Sequence, residues 1–323
     1  MYIDRRLVGF GAFLITIGVV VVAVRQNVLD DTVARQAWAL WPLILVGVGL
    51  SLVLAGRPGS PIGGLLIWVT IGAMLGGFAA SGAYPGGGLC VASGGSSAPF
   101  GGTSGDLASS GQVTIAQDCG DLAIGTVAGS TWSLSGDSRD GRAPRVDASL
   151  AILRIAARSG EPFDLGGSSA WTVAVPRDPT LNLAVQINGG SGRIGLAGAN
   201  LVGLSIEANA GSIDLDLRDI GSIGDATVEV NFGSAVVRLP TRPLTLRLAA
   251  NAGSAVICRP TGVGLRVLID SVAAATDLAD HGLVPTSGGW ETPDYASAGI
   301  RIEVRAAINA GSLSLDPSRQ CAG

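Results

Sequence analysis

The chain has 323 residues, of which 47% are hydrophobic and only 14% charged, and its formal net charge is −4. An ordinary soluble domain carries about 25% charged residues, so this composition does not fit a wholly soluble protein. The absence of any basic block likewise argues against a nucleic-acid partner.

A short head carrying Arg5 and Arg6 precedes three apolar runs, at residues 7–24, 37–55 and 62–80. Each approaches the ~20 helical residues that cross a hydrocarbon core, so residues 1–81 are expected to form a membrane domain of three transmembrane helices. A signal peptide followed by core helices is disfavoured, because three such runs crowd into eighty residues and no small-residue cleavage site follows the first. Trp38 and Trp41 suit an interfacial anchor, and the Arg distribution leans towards an inside N-terminus with the C-terminal domain outside the cytoplasm. No ionisable residue lies within the runs, which disfavours a proton or ion path.

Residues 82–111 are rich in Gly and Ser and read as a flexible linker. From Gln112 the pattern alternates with period two, and residues 112–323 are expected to form an all-β solenoid. The signal is a five-fold Asn-x-Gly-Ser repeat, whose Asn and Gly positions are Asn188 and Gly190, Asn209 and Gly211, Asn231 and Gly233, Asn251 and Gly253, and Asn309 and Gly311. The first four copies are 21, 22 and 20 residues apart, a period that indicates stacked turns. Apolar residues fall one, three and five positions before each Asn (Ala208, Ile206 and Leu204, for example) and alternate again after it (Ile213, Leu215, Leu217). Each copy therefore reads as strand, corner, strand with one buried face. Asn and Gly suit a corner because they tolerate left-handed backbone, and aligned asparagines could hydrogen-bond from turn to turn.

Val127-Ala128-Gly129-Ser130 resembles a further corner with Val in the Asn place. Leu150, Ile152 and Arg154, then Trp171, Val173 and Val175, continue the strand pattern as less regular capping turns. After Cys258 the repeat pauses for 58 residues, from Asn251 to Asn309. That is room for two irregular turns and an inserted loop at residues 280–297.

All four cysteines, Cys90, Cys119, Cys258 and Cys321, follow the apolar runs, which suits disulfides in an oxidising compartment. Three connectivities exist; Cys258 with Cys321 would pin the tail to the stack and leave Cys90 with Cys119. No metal or cofactor site is legible: CxxC spacing is absent and His281 is the lone histidine. No spacing ties His281 to a nucleophile either, so a hydrolase is disfavoured. Asp214 and Asp216 alternate onto the outer face of a strand, where they solubilise it.

The N-terminal glycines Gly9, Gly11 and Gly18 and the run Trp41-Pro42-Leu43-Ile44-Leu45-Val46-Gly47-Val48-Gly49 resemble the membrane region of bacterial Lia-type envelope-stress proteins. The Asn-x-Gly-Ser turns resemble the toast-rack β-solenoid of adhesin-type domains. The resemblance implies a non-enzymatic membrane protein, without cofactor, that senses or regulates envelope stress through the bilayer and a membrane histidine kinase. A structural or adhesive surface module is the alternative. Exposed sheet edges would also invite pairing with a second copy.

Overall fold

In the computed structural model the described residues are 15–16, 19, 68–71, 97–138, 141–158, 169–271, 274–316 and 318–321. The chain divides into two compact units, Met1–Pro85 and Gly86–Gly323. In the first, residues 15–16, 19 and 68–71 are helical. The three expected transmembrane spans otherwise lie outside the described residues, as do Cys90 and most of the expected linker. No helix among the described residues is long and apolar enough to cross a membrane.

The second unit is a large, mostly β domain. Its strands are β1 (Ala98–Asp106), β2 (Ser110–Gln117), β3 (Gly120–Val127), β4 (Thr131–Ser138), β5 (Arg145–Ala148), β6 (Ile152–Ala156), β7 (Ser169–Pro176), β8 (Thr180–Ile187), β9 (Gly190–Gly195), β10 (Asn200–Asp216), β11 (Ser222–Arg238), β12 (Leu244–Cys258), β13 (Gly264–Ser271), β14 (Ala274–Thr276), β15 (Val284–Thr286), β16 (Gly289–Glu291) and β17 (Arg301–Leu315). They join into one 17-stranded hydrogen-bonded sheet. The tail ends in a short helix, Ser318–Cys321.

The pairing is that of a coil stack. β10 lies parallel to β11, β11 to β12, and β12 to β17, each in continuous register through its corner. β8 and β9 pair parallel with the two arms of β10. Alternate side chains consequently superpose from coil to coil. Val185, Ile206, Val228, Leu248 and Ala306 form one such column, and Ile194, Leu215, Val237, Ile257 and Leu315 another. Both columns are buried. Each large aliphatic side chain so buried contributes about 1.5–3 kcal/mol. A one-residue slip would turn every column to water, which is why the register holds without a break from β10 to β17 and, against β8, shifts only at a bulge between Leu201 and Gly203, ahead of the buried column.

The stack does not follow chain order. β2 and β3 sit between the coil made by β8 and β9 and the coil made by β6 and β7. At the other end β17 lies between β12 and the coil made by β13 and β14. The expected 58-residue pause is thus no gap in space, since the last Asn-x-Gly-Ser copy stacks directly on the fourth. The expected loop at 280–297 folds in part into the β15–β16 hairpin, which pairs antiparallel on β13 and covers part of its edge. At the opposite end β4 caps β7, β1 caps β4, and β5 caps β6, all antiparallel.

Three expectations are corrected here. The linker does not run to residue 111, because β1 occupies Ala98–Asp106. One of its glycines reflects packing: a Cβ on Gly105 would meet the Trp132 ring at 3.1 Å. The phase of β6 is inverted, with Leu153 and Ile155 buried while Leu150 and Ile152 are exposed. The alternation reads equally well in either phase over so short a strand, and parallel pairing with β2 selects the one that faces Val113 and Ile115 inwards. Finally, the segment 127–130 joins β3 to β4 and does not stack on the corner column.

Candidate functional site

The feature the repeat builds is a corner ladder along one edge of the stack. Asn309 Nδ2 donates to Asn251 Oδ1 at 2.6 Å, Asn251 Nδ2 to Asn231 Oδ1 at 2.5 Å, and Asn231 Nδ2 to Asn209 Oδ1 at 2.7 Å. Asn209 Nδ2 then donates to Asn188 Oδ1 at 2.9 Å, and Asn188 Nδ2 to Asp118 Oδ1 at 2.9 Å. All five bonds run the same way, so each of the four amides from Asn251 to Asn188 both donates and accepts and the chain polarises cooperatively. It ends on a carboxylate, an acceptor that has no donor to satisfy when ionised.

Asp118 shows what the sequence reading missed. The true corner of the β2–β3 coil is Asp118-Cys119-Gly120-Asp121, with Asp in both the Asn and the Ser places. Gly120 registers with Gly190, and Ser191 Oγ donates to Asp121 Oδ1 at 2.5 Å. The signal was present in the sequence: Ile115 and Val113 precede Asp118 by three and five residues, and Leu122 and Ile124 follow by four and six. Gln117 fills the apolar place beside the corner. It is fully buried, and its amide donates to Asp121 O and Ser169 O at 3.2 Å each.

Beside the asparagines runs a glycine column. Gly190, Gly211, Gly233, Gly253 and Gly311 are in lateral register. A Cβ on Gly233 would overlap the carbonyl oxygen of Gly211, and the same holds at every step of the column. Gly233 also has φ 135°, outside the range an L side chain readily adopts. The asparagines do not share this conformation. Among the described residues Asp316 is the one non-glycine with positive φ, so the corner Asn is selected for its amide and not for left-handed backbone.

The described cysteines are all bonded. Cys258, at the end of β12, is bonded to Cys321 in the tail, 63 residues later. Cys119 is disulfide-bonded, and no cysteine among the described residues is free. Arg238 bonds both Asp214 and the Gln320 carbonyl, the latter at 3.0 Å, while Asp316 accepts from Arg259 N. Together these tie the tail to the second arms of β11 and β12.

Several of the remaining ionisable groups are paired on the surface. Asp216 and Arg218 form an ion pair at 2.7 Å. The Arg218 hydrogen bond holds the Asp216 carboxyl below its ordinary range, and Asp216 in turn raises Arg218. Arg266 is raised by its bond to Glu291 and lies 4.3 Å over the Tyr295 ring. His281 Nε2 is 3.9 Å from Asp277, whose other oxygen accepts from Leu315 N. No group of three or more metal-ligating side chains occurs among the described residues.

Comparison with known proteins bears on the first unit most directly. Residues 8–53 match the LiaI-LiaF-like transmembrane region. The match assigns the N-terminal region to a membrane and puts the chain in contact with the lipid bilayer. No curated protein matches the sequence. Among solved structures, a Clostridium sporogenes protein provisionally assigned to cell adhesion is 14% identical, with a TM-score of 0.46, covering 67% of this chain and 98% of that one. A provisional adhesin from Bacteroides fragilis is 10% identical, with a TM-score of 0.26, covering 66% and 95%. None of these names is an enzyme's.

Proposed function

We propose that the chain is a multi-pass bacterial membrane protein that regulates the response to cell-envelope stress. The three apolar runs would anchor it and contact a membrane histidine kinase. The coil stack would stand outside the cytoplasm, as a rigid body that reports envelope damage or restrains the partner. The observation that supports this most is the match of residues 8–53 to a LiaI-LiaF-like transmembrane region. Disulfides in the β unit suit an oxidising compartment and so favour the same sidedness.

The experiment is deletion of the gene followed by measurement of envelope-stress transcription under cell-wall antibiotics, with attachment to surfaces measured in parallel. A changed stress response, restored by the full chain, is expected. Unchanged transcription with altered attachment would replace this reading with an adhesive one. Thiol labelling on intact cells, with and without reductant, tests the sidedness: labelling that needs both reductant and a permeabilised membrane would place the β unit inside.

A further inference from the structure

On the outer face of the first arms, across β11, β12, β17 and β13, lies a groove of about 580 Å³. That is within the roughly 300–1,000 Å³ of small-molecule sites. Its hollow comes from Ala249 and Ala307, adjacent in register and on the outer face. The equivalent places on neighbouring coils hold Glu229 and Asp270. Arg247 and Arg305 line it from the next row and are themselves register partners. Neighbouring strands are about 4.8 Å apart, so the two guanidinium groups can share one carboxylate. Arg305 commits only its Nε, to Glu303 at 2.8 Å. Among the described residues Arg247 has no hydrogen-bond or ion-pair partner, nor has the Asp270 carboxylate, which lines the same groove. Leu268 supplies an apolar wall.

The groove is therefore bipolar: two cations at one end, one anion at the other, and small apolar groups between. Asp270 and Arg305 are diagonal neighbours on adjacent strands, their backbone positions about 7–8 Å apart, and the long Arg side chain can hold its guanidinium at a similar distance from the carboxylate. An extended dipeptide spans about 7 Å between its termini, at ~3.3–3.6 Å per residue. We infer that this groove is a binding site for short, free, zwitterionic peptides with small aliphatic side chains. The carboxylate sits on Arg247 and Arg305, the ammonium on Asp270, and the side chains on Ala249, Ala307 and Leu268. Bidentate Arg–carboxylate bonds give the site its direction. The shallow alanine floor selects small side chains over aromatic ones.

The test is saturation-transfer NMR with dialanine on the full chain reconstituted in lipid nanodiscs. Saturable binding is expected. N-acetyl-dialanine and dialanine amide, each lacking one terminal charge, should bind at least tenfold more weakly. Arg247→Gln with Arg305→Gln should weaken dialanine at least tenfold, as should Asp270→Asn, while Arg193→Gln on the other arm should not. Absence of saturable binding, or equal binding of the blocked peptides to the unaltered chain, would overturn the inference whether or not the variants fold. Unchanged affinity in a folded double variant would overturn it as well.

Discussion

Replacing Gly233 by alanine should damage the stack far more than removing the whole phenyl ring of the residue before it. Gly233 lies mid-column at φ 135°, and an added Cβ would enter the carbonyl oxygen of Gly211. Alanine at such a φ costs about 1–3 kcal/mol in backbone strain. Relieving the overlap means lifting one coil off the next. That breaks at least two hydrogen bonds at that corner, at about 1 kcal/mol each. The sum is roughly 3–5 kcal/mol, a large share of the 5–15 kcal/mol that holds a typical domain. Phe232 is 47% exposed, so Phe232→Ala should cost within about 1 kcal/mol. Thermal unfolding of the full chain in nanodiscs, followed by circular dichroism, compares them directly. At roughly 2–4 °C per kcal/mol for a domain of this size, Gly233→Ala should melt about 10 °C lower and Phe232→Ala within about 4 °C of the parent. Hydrogen exchange should place the loss in β10, β11 and β12, because stacked repeats communicate with their neighbours first. If Gly233→Ala melted with the parent, or if Phe232→Ala were the costlier change, the close-approach argument for the column would fail.

The ladder predicts a gradient. Asn231→Ala strands an acceptor on part-buried Asn209 and leaves Asn251 Nδ2 only its 3.5 Å bond to Glu229, and should cost about 1–3 kcal/mol. Asn309→Ala at the exposed end breaks one bond to Asn251 and should cost less than half as much in the same melt. Reduction of Cys258–Cys321, which joins residues 63 apart, releases a loop whose closure is worth about 4 kcal/mol by chain entropy. The expected result is a lower melting temperature and faster exchange in β17 and the tail; in Cys258→Ser with Cys321→Ser the exchange response of β17 and the tail to reductant should be lost, leaving only what the Cys119 disulfide contributes. Asp216 is lowered by Arg218, so its stabilising share is present above the ordinary Asp range near 3.9 and fades as pH falls through the lower folded value. Melts of Asp216→Asn should therefore differ from the parent at pH 7 and converge with it once the pH has fallen past the lowered folded value, the difference being at most about 1 kcal/mol for so exposed a pair.

Much of the β unit was legible because its information is local. Asn-x-Gly-Ser fixed the corners, and the places one, three and five before each Asn fixed the buried face, as Val230, Val228 and Ala226 show. Legibility failed where the pattern was carried by equivalents instead of identities. Asp118 does an asparagine's work because only its acceptor is needed at the end of the chain of amides. It failed again in β6, where five residues could not settle which of Ile152 and Leu153 faces inwards. The bipolar groove was invisible for another reason: Arg247 and Asp270 belong to coils that are not consecutive in the stack, and no spacing in the chain links them.

The amino-acid order alone determined that coils form and, for the Asn-x-Gly-Ser coils, how long each is, where each bends and which side of its arms is apolar. It did not determine which coil touches which. One arm presents nearly the same ridge of aliphatic side chains and the same open row of amides and carbonyls as any other, so neighbours are interchangeable by local criteria. Only the assembled domain placed β2 and β3 beneath β8 and β9, and slid β17 between β12 and β13. Those choices rest on contacts that close only when all the coils are present: the Asp118 terminus of the ladder, the shared glycine column, and the disulfide that ties the end of β12 to the tail.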